Sequence, residues 1–85
     1  VAVKMRFHKD LTNVVMDRFG KSTMLIPDGE DHFVFTVNVA ESQMFLSWVI
    51  GFGSQAEILY PERVRKACED LCRQVLAIYQ DKAKD

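Results

Sequence analysis

The sequence predicts an α+β domain: an antiparallel sheet backed by helices, with one further helix at the C-terminal end. Three observations predict it. Val1 to His8 and His32 to Val39 alternate apolar and polar residues, the period of strands with one buried face. Leu11 to Phe19, Met44 to Ile50 and Val64 to Tyr79 repeat apolar residues at helical spacing. Between them, Trp48 to Pro61 reads WVIGFGSQAEILYP, a helix–turn–strand–helix corner built on two glycines and a proline.

Bulk properties bound the answer. The 85 residues suffice for one domain over positions 1–85, near the lower limit for a core without covalent staples. A net charge of -1 provides no global field toward nucleic acid or membrane, so such binding would need a local patch. No apolar run approaches the ~18 residues that span a bilayer, and no signal-peptide pattern opens the chain. The expectation is a soluble, cytoplasmic protein without a membrane partner. Val1 already lies in a strand pattern, with no initiator methionine, which predicts a module excised from a longer protein.

In order, Val1, Val3, Met5 and Phe7 form the inner face of a first strand, with Ala2, Lys4, Arg6 and His8 outside. Asp10 is the expected N-cap of a short helix carrying Leu11, Val14, Val15 and Phe19, and Gly20 its stop. Ser22 to Pro27 reads as a strand, with Pro27-Asp28-Gly29-Glu30 as the turn of a hairpin. Phe33, Phe35, Val37 and Val39 face inward from its partner, opposite His32, Val34, Thr36 and Asn38. Glu41 and Ser42 open a helix bearing Phe45, Leu46, Val49 and Ile50, widened by Met44 and Trp48. Gly51 and Gly53 end it, and Phe52 folds back over the core. Ala56 to Tyr60 is the fourth strand. Pro61, with fixed φ and no N–H, suits a first helical turn. The last helix carries Val64, Ala67, Cys68, Leu71, Cys72, Val75, Ile78 and Tyr79 on one stripe, then a polar tail from Gln80 expected to fray. The order β-α-β-β-α-β is the ferredoxin-like arrangement, with the first and third strands central. The extra helix must cover a sheet edge, flank the open face or pack on another chain.

Chemistry is sparse. Gly51-Phe52-Gly53 lacks the third glycine and the lysine of a phosphate loop. Cys68 and Cys72, four apart on one helical face, suit neither a mutual disulfide nor a zinc pair and read as small buried hydrophobes. Asp28, Glu30 and Asp31 form a solvated turn rather than a calcium loop. His8 and His32 share the outer sheet face with Lys4, Arg6, Thr36 and Asn38, either a mildly basic platform for an anionic partner or simply a wet face. Two histidines without a third ligand predict no metal site. The aromatics of both central strands point inward, opposite to an RNA-recognition sheet. Trp48 reads as a core-edge residue or, if exposed, a partner anchor. The candidate contact residues are Lys4, Arg6, His8, His32 and Trp48. Lys4, Arg6 and His8 are also the candidates for a salt-dependent phosphate contact. No catalytic set, metal or cofactor is expected.

Taken in order, these pieces resemble a known family. Val3-Lys4-Met5-Arg6-Phe7, Asp28-Gly29, Trp48 to Gly53, Ala56 to Pro61, Arg65 and Leu76 to Tyr79 are similar to the C-terminal extension (WCX) domain of bacterial WYL-type transcriptional regulators. Tyr60 stands where an acidic residue is common in that family. The resemblance implies a non-enzymatic regulatory and oligomerisation module at the end of a regulator with helix-turn-helix and WYL domains. It also implies homodimer contacts, a part in effector response, and DNA binding by the whole protein. Gly51, Phe52, Gly53 and Pro61 match its motif as structural corner residues. A competing expectation is an ACT-like small-molecule-binding domain, although His8-Lys9-Asp10 supplies no glycine to the loop such domains use.

Overall fold

The computed structural model describes residues 1–83. Its elements are β1 (Ala2–His8), α1 (Thr12–Phe19), β2 (Ile26–Asp28), β3 (His32–Asn38), α2 (Gln43–Ile50), β4 (Ala56–Tyr60) and α3 (Glu62–Ala83). Short 3-10 turns at Lys9–Leu11 and Gly53–Gln55 precede α1 and β4. The four strands form one antiparallel sheet in the order β2-β3-β1-β4. This is the expected ferredoxin-like arrangement.

Alternation in β1 and β3 decides which face is covered. Met5 lies opposite Phe35, and Phe7 opposite Phe33. Val3, Met5, Phe7, Phe33 and Phe35 are all buried, joined by Ile58 from β4, Val15 from α1 and Phe45, Leu46 and Val49 from α2. Phe7 is the centre of this layer. Its ring lies 5.1 Å from Phe35, edge-on, and 5.8 and 5.9 Å from Trp48 and Phe52. The phenylalanines of the central strands are core residues, so β1 and β3 turn no Phe or Tyr to the open face of the sheet.

Several boundaries move. Asp10 does not cap α1; its backbone N–H donates to His8 Nδ1 at 3.1 Å, so the histidine caps the 3-10 turn in its place. Thr12 Oγ1 then donates to the Lys9 carbonyl at 2.6 Å, leading the chain into α1. The strand expected from Ser22 is cut to Ile26–Asp28. Thr23 donates to the Gly20 carbonyl through both its N–H and its hydroxyl, which holds the preceding residues in a turn. Asp28 pairs with His32, shifting the hairpin turn to Gly29–Asp31, where Gly29 takes φ +74°. Ser42 caps α2 as expected, its Oγ accepting from Phe45 N–H.

Pro61 sits one residue before α3 rather than within its first turn, and its carbonyl accepts from the N–H groups of Val64 and Arg65. The largest departure concerns α3 itself. Its first half packs on α2 and β4, with Val64 fully buried and Ala67, Cys68 and Leu71 against the core. Beyond Leu71 the side chains through Gln80 are exposed. Cys72 is among them and is not the buried hydrophobe expected. The helix continues through Gln80 to Ala83; Lys84 and Asp85 lie outside the described residues.

Candidate interaction site

The open sheet face is arranged in three cross-strand rows. Asp28, His32 and His8 form one end; Ile26, Val34, Arg6 and Glu57 the middle; Thr36, Lys4 and Tyr60 the other end. Arg6 Nε donates to Asp28 Oδ2 at 2.7 Å and lies beside Glu57. Its charge is therefore matched locally. The His8 and His32 rings meet edge-on at 5.4 Å, with Asp10 Oδ2 3.5 Å from His8 Nδ1. Asp28 and Asp10 thus stand beside Arg6 and His8 on this face. Lys4 is exposed at its far end, beside an apolar strip of Met24, Ile26 and Val34. Tyr60, 65% exposed, lies across from Lys4 on β4.

Trp48 is half-buried on the opposite side. Phe19 and Phe52 meet its ring edge-on at 5.6 and 5.1 Å, and the Arg18 guanidinium lies 5.0 Å from its centre. These contacts hold it at the core edge, under a cation. The corner residues divide their roles. Gly51 has ordinary helical geometry and ends α2, its N–H donating to Ser47. Phe52 covers Phe7. Gly53 takes φ +62°, a conformation that costs any residue with a Cβ.

Sequence reasoning missed one feature and left another undivided. One is a groove of about 420 Å³ between α2, β4 and α3. Val49, Ile50, Ala56, Ile58, Cys68 and Cys72 give it apolar walls, and Glu57, Glu62, Arg65, Lys66 and Glu69 add charged groups. Arg65 bonds Glu57 at 2.6 Å and the Ile58 carbonyl at 2.8 Å, tying α3 to β4; the Glu57 bond holds the guanidinium above its ordinary range. Arg63 pairs with Glu41 and ties the start of α3 to the α2 entry. Burial, then the neighbouring Cys72, pushes the Cys68 thiol up.

The other is the outer half of α3. Val75, Leu76, Ile78 and Tyr79 are 47, 53, 55 and 68% exposed. Length was the available signal: 22 helical residues reach about 33 Å, whereas seven-residue β1 spans about 23 Å. A helix that long outruns the sheet it packs on. Soluble domains rarely expose contiguous apolar surface without a use for it.

Among the described residues, no group of three or more His, Cys, Asp or Glu side chains could hold a metal ion. Nor is any helix among them long and apolar enough to cross a membrane. Comparison with known proteins gives one match: the profile of the WCX domain covers residues 1–76. No curated protein and no solved structure matches the chain.

Proposed function

The chain belongs to the WCX domain family, and from that premise we propose that it is the non-enzymatic regulatory and oligomerisation module of a WYL-type DNA-binding transcriptional regulator. In this reading it follows helix-turn-helix and WYL domains in a longer cytoplasmic, bacterial chain. It contributes homodimer contacts and relays the effector response, while the whole regulator binds DNA. The observation that carries the reading is the apolar stripe on the outer half of α3, left uncovered while the sheet's own core is complete. Such a surface is suited to docking.

The reading frame encoding this chain gives the first check: helix-turn-helix and WYL segments are expected ahead of Val1, and an unrelated catalytic domain there would contradict the assignment. In the intact regulator, deleting this module is expected to abolish dimerisation or the effector-dependent change in operator affinity. Unchanged mass and unchanged response would overturn the proposal.

The groove between α2, β4 and α3 favours a second reading, a small-molecule-binding regulatory domain similar to ACT domains. Apolar walls with a few charged groups suit a compact ligand. A metabolite screen by thermal shift separates the two, since a ligand raises the melting temperature of this chain only if the groove is a binding site.

A further inference from the structure

Cys68 and Cys72 stand one turn apart on α3, and both line the groove between α2, β4 and α3. Both thiols are free; Cys68 is half-buried and Cys72 exposed. Cys72 is close enough to act with burial in pushing the Cys68 thiol up. Residues four apart on a helix hold their Cβ atoms about 5–6 Å apart. A disulfide needs about 3.5–4.5 Å, so this pair closes one only if the turn unwinds. That turn is held. Val64, one turn earlier, is fully buried, and Arg65 bonds Glu57 and the Ile58 carbonyl at 2.6 and 2.8 Å. A single larger atom placed between the sulfurs puts two bonds where the disulfide has one, and spans the gap with the helix intact.

Ligand count and protonation select that atom. Among the described residues no group of three or more His, Cys, Asp or Glu could hold a metal ion. A zinc-like ion would find here only half of the four ligands it takes. A cation must also displace both thiol protons, and burial opposes loss of the one on Cys68. Trivalent arsenic carrying one organic group takes two sulfurs and condenses with neutral thiols. The groove offers that group a place. It holds about 420 Å³, with Val49, Ile50 and Ile58 among its apolar walls. Its basic groups are already committed, Arg65 to Glu57 and Lys66 to Glu69 and Asp70.

We propose that Cys68 and Cys72 form a dithiol clamp for organic compounds of trivalent arsenic, with arsenic bridging the two sulfurs and an aryl group lying along the apolar wall of the groove. With phenylarsine oxide, two As–S bonds form while the arsenic–oxygen bond and both S–H bonds break. The oxygen leaves as water with the two thiol protons, and arsenic stays trivalent. No net charge enters the half-buried site, which avoids the cost of burying an unpaired ion. The helix presents both sulfurs on one face before the ligand arrives, so little ordering is left for binding to supply. The clamp is independent of the oligomerisation reading and uses the groove of the second reading for a covalent ligand.

Intact-mass spectrometry of the reduced 85-residue chain with phenylarsine oxide tests it. One phenylarsenic group per chain is expected, and it should persist against excess glutathione. Cys68→Ser and Cys72→Ser should each weaken retention at least about 100-fold, because the second sulfur acts at a high effective concentration. Circular dichroism checks that both variants fold. The adduct should also raise the melting temperature, since the native helix holds the pair in place and the unfolded chain does not. In competition with dithiothreitol, phenylarsine oxide should be held about 10-fold more tightly than methylarsine oxide, through the apolar area its ring buries. Absence of the adduct, or an adduct that either single variant keeps, overturns the clamp. An unchanged or lowered melting temperature overturns it as well. Equal retention of the phenyl and methyl compounds overturns the groove's part in it. Failure of the clamp leaves the metabolite screen above unaffected, because noncovalent binding in the groove needs neither thiol.

Discussion

Phe7 shows how much of this small domain rests on single side chains. Its ring is the one that β3, α2 and the Gly51–Gly53 corner all pack against. Phe7→Ala is expected to cost about 3–5 kcal/mol in urea unfolding, a large share of the ~4–13 kcal/mol available to 85 residues. A loss below ~1 kcal/mol would mean the layer can close around the cavity. The corner glycines should respond unequally. Gly53→Ala must carry a Cβ at φ +62° and should cost about 1–2 kcal/mol. Gly51→Ala keeps a helical φ but brings its new carbon 3.3 Å from the Trp48 carbonyl oxygen, a tight backbone contact, so a smaller loss of less than ~1 kcal/mol is expected. Equal losses in thermal melts would show that the two glycines do the same work. At Cys68, burial raises the thiol pKa, so less thiolate is present at any given pH. Its alkylation by iodoacetamide at pH 8 should lag a free peptide thiol and rise only at higher pH. Mass spectrometry of the labelled peptide, matching a free thiol in rate, would contradict this.

At the scale of elements, periodicity made β1, β3, β4 and α2 legible because each buries one face, and burial imposes a strict phase. Ala56–Tyr60 is where the sequence placed it, between a glycine corner and a proline. What could not be read was set by side-chain bonds that periodicity does not encode. His8, not Asp10, caps the turn before α1, and Thr23 shortens β2 by bonding Gly20. The open face was legible only in part, for a related reason. Arg6 and His8 were visible as basic residues, but Asp28 and Glu57 reach the same rows only through the register of two edge strands. The Arg6–Asp28 pair is exposed, and Asp28→Ala should change stability by no more than about 1 kcal/mol while leaving Arg6 available to anions. Raised affinity for heparin in that variant, diminishing with salt, is the expected result; no change would mean Asp28 does not mask Arg6.

The whole molecule is longer than its core demands. A compact chain of this length has a radius of gyration near ~12 Å, against 14.2 Å here with a long axis of 49 Å. The excess fits the reach of α3 beyond the sheet. Sequence alone revealed the stripe on this helix as one continuous feature, since apolar spacing does not change where the domain beneath it ends. Only the sheet's extent divides it into an inner half that builds the core and an outer half that presents a surface. An isolated helical stretch of that length is marginal in water. In the oligomerisation proposed above, a second copy supplies the packing this stretch lacks.

Amide hydrogen exchange across α3, followed against protein concentration, tests that claim most directly. The N–H groups from Cys72 to Gln80 should gain protection as concentration rises, while those of β1 and β3 exchange at rates independent of it. Rapid exchange from Cys72 to Gln80 at every concentration would contradict the account, leaving the outer helix a frayed end rather than an interface.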